Sequence, residues 1–417
     1  MYGAILIPAS IGLCWMFSPD ALVLLTNGFG RGSLLFIVPL AIVVLIATLA
    51  INLLHHPSLS IVDTSIDTLS GGTHLAIVSL SLASYFSLVL LLPTGMLVSA
   101  GFTFNETFVY WFPNFGFSFL LLGLILLLHL ADERFALALQ PLFIGTTVAC
   151  VLILSLAGLL PPTETGSAPP AQQQISVTLS LLLSPFLLVL GYDRQEAAAT
   201  RDNRPIFRLT IAVYFLLASL WGYAAISHVS LERLAHSSVP HILTARELLG
   251  QPGRIILGIA IISGTCGVVN GLFLLCTKVA RQLFGPLLNG PSSRKRWQRK
   301  ILPLVFSAII ATFMATGLAG SPELETFIYG ALLLWIVTLG MRCLVADQKL
   351  RRTTDTFPRY YSFLSVVFCV AALSLATVHP DGDRLFTFCF LVLGASFAGS
   401  YILIRLARKT FLKKNLN

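Results

Sequence analysis

Charge is what this sequence has least of. Asp, Glu, Lys and Arg make up 11% of its 417 residues, less than half the roughly 25% usual in a soluble domain. A soluble chain of this length folds as two or three domains, each with a polar skin, and these residues are too few to make one. An ordinary cytosolic enzyme is excluded on that ground. The seven cysteines (Cys14, Cys150, Cys266, Cys276, Cys343, Cys369 and Cys389) all lie in apolar runs and form no CxxC pair. A disulfide-rich secreted module and a zinc site are excluded with them, and the cysteines read as small packing residues. HExxH, a Walker loop and GxSxG are absent, and no loop is long enough for a soluble catalytic domain. His55 and His56 adjoin at a span end without a third ligand nearby. No apolar run carries a ladder of carboxylates. Asp193, Lys278 and His129 fall at run ends, where water is expected to reach them. Neither enzymatic activity nor a cofactor is expected.

What is present is apolar. Hydrophobic residues are 56% of the chain, the composition of a polytopic membrane protein covered by lipid. The net charge of +9 comes from basic residues scattered through short loops rather than gathered on one soluble face, which excludes nucleic acid as a partner. Twelve stretches are long enough to cross a bilayer: 2–25, 33–54, 75–101, 115–131, 137–160, 175–192, 207–226, 255–277, 301–319, 325–345, 361–378 and 385–406. The first is interrupted by Ser18, Pro19 and Asp20. If the C-terminus is cytoplasmic, 22 of the 27 lysines and arginines fall inside, and only Arg31, Arg233, Arg246, Arg254 and Arg384 fall outside. That asymmetry predicts a cell (plasma or inner) membrane protein with both termini in the cytoplasm. The segment 161–174 reads as an external linker, and the basic run Arg294–Lys300 as a topogenic loop.

The informative positions are glycines and prolines inside spans. Gly3 to Pro8 in the first span and Ser184-Pro185 to Gly191 in the sixth lie five spans apart. Each predicts a break, and a break frees backbone N–H and C=O groups that must line a cavity or face protein. Paired interruptions in two halves point to a transporter built of inverted repeats, while two ordinary proline kinks are the plainer alternative.

The segment Gly191-Tyr192-Asp193, followed by Arg201-Asp202-Asn203-Arg204-Pro205, resembles the close of the sixth helix in the amino acid–polyamine–organocation (APC) permeases. Gly267-Val-Val-Asn270-Gly271 with Thr277-Lys278 is similar to that family's eighth-helix motif, and Gly3 and Pro8 fit its first. The resemblance runs over most of residues 1–285. It implies an all-α fold of five-plus-five inverted repeats (1–160 and 175–345), with broken helices 1 and 6. Two added helices follow (361–406), then a tail (407–417). It implies a secondary transporter of amino acids or related small amines, working by alternating access. Substrate would meet backbone groups of Gly3, Ala4 and Ile5 and of the segment Phe186, Leu187, Val189 and Gly191, with Tyr85, Ser263 and Thr265 as further contacts; Tyr329 and Trp335 rank below them. The family places a half-helix before the first motif, and the sequence begins at Met1-Tyr2-Gly3, so either the true start lies upstream or the site is incomplete; span 5 has Gln140, Thr146 and Thr147 but no lysine. Lysine-based proton coupling is therefore disfavoured, while sodium coupling or exchange stays open. A transport-inactive sensor or partner subunit of the same fold is the alternative.

Overall fold

The computed structural model describes residues 3–54, 72–161, 184–192, 204–284, 292–353, 361–379 and 381–415. Most of its helices lie in the expected apolar spans, because a run of that length in lipid satisfies its own backbone as helix. In order these are α1 (Gly3–Met16), α2 (Pro19–Gly32), α3 (Ile37–Leu54), α4 (Gly72–Thr107), α5 (Asn114–Ala131), α6 (Glu133–Ala157) and α7 (Arg204–His228). Then come α8 (Leu231–His236), α9 (Pro240–Leu249), α10 (Gln251–Phe284), α11 (Ser292–Ala315), α12 (Pro322–Thr353), α13 (Tyr361–Val378) and α14 (Gly382–Asn415). Among the described residues there is no strand. Eight helical stretches among the described residues are long and apolar enough to cross a membrane, and three shorter apolar helices accompany them. The chain is a multi-pass, all-helical membrane protein.

Two expectations about the first spans are corrected. The interruption at 18–20 starts a helix: Ser18 Oγ accepts from Ala21 N at 3.3 Å, with Pro19 and Asp20 in the first turn. A capping hydroxyl, a proline whose missing N–H costs nothing there and an acid against the positive helix end all favour a new start. The first helix therefore ends at Met16. The second apolar stretch runs Pro19–Leu54, bent by a 3₁₀ turn at Ser33–Phe36 where Ser33 has φ 49°. The polar stretch 227–254, read as loop, holds α8 and α9, which bury Leu234, His241, Thr244 and Ala245. Of the sixth span only the end from Ser184 is described. The linker 162–174, the pair His55–His56 and the segment 193–203 lie outside the described residues.

The described residues form two compact units. The first gathers residues 3–48, 95–161, 184–192 and 204–271. In it α1 packs on α6 and α7, α2 on α7 and α8, and α9 on α2, α6 and α7. A Cβ on Gly222 would stand 2.2 Å from the Phe29 ring, so glycine brings α7 onto α2, and Trp221 Nε1 donates to Thr26 Oγ1 at 2.9 Å beside it. The second unit gathers residues 49–54, 72–94, 272–284, 292–353, 361–379 and 381–415. In it α12 packs against α13 and α14. Helices α3, α4 and α10 give residues to both units.

Candidate functional site

The sixth span does not end as an α-helix. Ser184–Val189 is a 3₁₀ helix, continued by turn bonds from Leu190 N to Leu187 O and from Tyr192 N to Val189 O, both 3.0 Å. Pro185 lacks an N–H, and tight i→i+3 geometry ends the regular ladder, so carbonyls of this segment fall outside α-helical pairing. Gly191 closes the turn at φ 86°, a conformation that side-chain-bearing residues rarely adopt. Phe186, Leu187, Val189 and Tyr192 are buried, and Tyr192 Oη bonds Thr210 Oγ1 of α7 at 3.0 Å.

Helix α1 lies against this segment. A Cβ on Gly12 would meet Leu188 Cα and O at 3.5 Å, so glycine allows near main-chain contact between the two elements. The expected break between Gly3 and Pro8 is corrected: α1 is helical from Gly3 through Pro8 to Met16. Proline still acts there, because Pro8 offers no N–H to the carbonyl of Ala4 four residues back.

Helix α10 closes a third side with a seam of small residues. A Cβ on Gly264 would lie 3.3 Å from Cys14 O, one on Gly267 2.6 Å from Cys14 Sγ, and one on Gly271 2.6 Å from Ile11 Cγ1 and 2.8 Å from Gln140 Nε2. Polar groups staple the seam to α6 and α5. Ser263 Oγ donates to Phe143 O at 3.1 Å and Gln140 Nε2 to Gly267 O at 3.2 Å. Asn270 Nδ2 donates to Ala136 O at 2.8 Å, and its Oδ1 stands 2.9 Å from His129 Nε2. An amide oxygen only accepts, so Nε2 carries the proton. His129 is thus buried and bonded within the protein, which corrects the expectation that water reaches it.

Among the sequence-derived candidates, Gly3, Ala4, Ile5, Phe186, Leu187, Val189, Gly191, Ser263 and Thr265 belong to the first unit. Ser263 is a staple between α10 and α6. Thr265 is fully buried, and its Oγ1 has no hydrogen-bond partner among the described residues. Tyr85 belongs to the second unit, where it is buried edge-on to Trp335 (ring centroids 5.6 Å apart) and its carbonyl accepts from Cys276 Sγ at 3.6 Å. Tyr329 packs on His379 there, centroids 5.1 Å apart. Sequence reasoning missed Gly12, Gln140 and the His129–Asn270 pair as the parts that hold the first unit's helices together. Gly264, Gly267 and Gly271, spaced three and four apart on one helical face, are the signal that could have found the seam.

No family model matches the chain, and no curated protein matches it. Solved structures do. The chain is similar to the manganese transporter of Eremococcus coleocola in complex with an aromatic bis-isothiourea substituted compound, at TM-score 0.54 and 12% identity, covering 97% of this chain and 95% of that one. Two structures of variants of that transporter match at TM-scores 0.55 and 0.56, each at 13% identity and with the same coverage. At this identity the likeness is one of fold, and it spans nearly the whole of both chains. The chain has the fold of a known membrane transporter.

Proposed function

We propose that the chain is a secondary transporter of amino acids or related small amines, working by alternating access in the cell membrane. The observation that carries this reading is the 3₁₀ segment Ser184–Val189, closed by Gly191 at φ 86° and seated on α1 beside Gly12. A carbonyl oxygen has two lone pairs, so carbonyls in the 3₁₀ turns can take a second donor such as an ammonium, and the Ala4 carbonyl, which Pro8 leaves without its helical donor, adds an acceptor on α1. An amine is bound in this way without a buried side-chain charge. The cargo named for the fold neighbours points elsewhere, to manganese. Among the described residues no three His, Cys, Asp or Glu side chains stand together, but carbonyl oxygens also suit manganese, so the uptake test carries a manganese arm. Sodium coupling or exchange fits better than a lysine proton carrier, since α6 contains no lysine.

Uptake by the purified chain in proteoliposomes tests this, with labelled amino acids under sodium and pH gradients and a parallel manganese arm. The reading predicts accumulation of an amino acid or amine and none of manganese. Manganese uptake alone would replace the substrate class. No uptake of either by folded protein would favour the sensor or partner subunit.

A further inference from the structure

The segment joining α4 to α5, Phe108 to Pro113, carries two strongly exposed aromatic residues side by side. Tyr110 is 87% and Trp111 81% exposed. The segment is nevertheless firmly built. Asn105 Nδ2 donates to Tyr110 O at 2.5 Å and Phe112 O at 2.7 Å, and stands 3.5 Å from Val109 O. Phe104 stacks on Phe117 with centroids 3.9 Å apart and meets the rings of Phe108 and Phe112 at 5.7 and 5.8 Å. The start of α10 is tied in as well: Arg254 Nη2 donates to Glu106 O at 3.2 Å, and Gly258 leaves room for the Phe108 ring. Two large aromatics are thus held outward by a pinned backbone.

Their level relative to the bilayer follows from α5. Its 18 residues span about 27 Å at 1.5 Å per residue, close to the roughly 30 Å of a hydrocarbon core. Its far end is marked by Asp132, Glu133 and Arg134. Between the ends runs an exposed apolar stripe of Phe119, Leu120, Leu124 and Leu127, which continues at its near end into Phe115 and the loop. Tyr110 and Trp111 therefore stand where acyl chains give way to headgroups. Their rings suit the apolar side and their O–H and N–H groups the wet side.

We propose that the Asn105-pinned loop is a preformed anchor for the lipid headgroup layer, with Tyr110 and Trp111 as the inserted groups, fixing the depth of α4, α5 and the start of α10 together. The test is Trp111 emission in bilayers, taken as the difference between the native chain and Trp111→Phe. Phosphatidylcholine brominated close to the headgroup is compared with lipid brominated deep in the acyl chains, and with acrylamide added in water. The proposal predicts strong quenching by the shallow bromines, weak quenching by the deep ones and protection from acrylamide. Ready quenching by acrylamide would overturn it, because the pair would then stand in water. Protection from all three quenchers would also overturn it, in favour of a protein covering the loop. Tyr110→Trp on the Trp111→Phe background places a second reporter one residue away and must give the same depth.

Discussion

At the residue scale, Asn270 joins three helices with one amide. It satisfies the Ala136 carbonyl of α6 and the Nε2–H of His129 on α5, and all of these groups are buried. Removing one partner from such a set costs more than the bond is worth, because the remaining groups keep their desolvation penalty. Asn270→Leu is expected to lower stability by about 1–3 kcal/mol for each group left unpaired, read as a fall in thermal midpoint in detergent. Adding His129→Phe should cost less than the sum of the two single changes, since the second then removes an orphan rather than a bond. Strict additivity would show that the pair is not coupled. Gly267 makes the steric counterpart. A side chain there must displace Cys14 Sγ, 2.6 Å from its first atom, and Phe143 Cβ at 3.2 Å. Gly267→Leu is expected to separate α10 from α1 and α6 and to destabilise more than Gly145→Leu, whose added Cβ meets nothing within 4 Å.

At the element scale, α9 is the short helix with a titratable weak point. His241 is buried between α9 and the helices it packs on, and its Nδ1 has no hydrogen-bond partner among the described residues. Burial pushes the imidazole down to about 4 from 6.5, with no charged group contributing. The charged pair nearby, Arg233 and Glu247 at 3.6 Å, ties α8 to α9 at the surface. The sign follows from linkage: the docked helix holds His241 neutral, while the released helix takes up a proton once pH is below 6.5. Docking is therefore fully stable above that value and weakens by about tenfold per pH unit down to about 4. Hydrogen exchange of residues 231–249 at pH 5, compared with His241→Phe at the same pH, should be faster in the native chain. Equal rates would contradict the latch. Elements of this size were the least legible in the sequence. Leu234, His241 and Thr244 are too few and too polar to stand out from a loop. Ser18-Pro19-Asp20 was visible as an interruption, but whether it kinked one helix or capped the next depended on where Ser18 Oγ found its donor.

At the scale of the whole molecule, lipid replaces the missing polar skin, so long apolar runs located most of the apolar helices among the described residues, the first two spans needing new bounds. Exposed side chains such as Leu209, Leu216, Phe390 and Leu391 are what that solvent accounts for. Sidedness rests on the basic residues, and a reporter fused after Asn417 is expected to read cytoplasmic; an external reading would contradict the orientation. The candidate site was legible only in part. Proline and glycine announced the irregular end of the sixth span, because their chemistry is local. Pro8 announced a break that α1 does not make, since one proline near a helix start frees a single carbonyl without ending the helix. Tyr85 could not be placed, because membership of the second unit beside Trp335 is a tertiary fact with no signature in spacing.

The central claim is that substrate is held at the 3₁₀ segment closed by Gly191. Its most direct test is amino acid uptake in proteoliposomes by the native chain beside Gly191→Leu, with each protein's insertion and thermal midpoint recorded. At φ 86° a leucine strains the turn. The account predicts uptake by the native chain, and its loss in the variant while insertion is retained. Uptake at the native rate by a folded Gly191→Leu variant would contradict it.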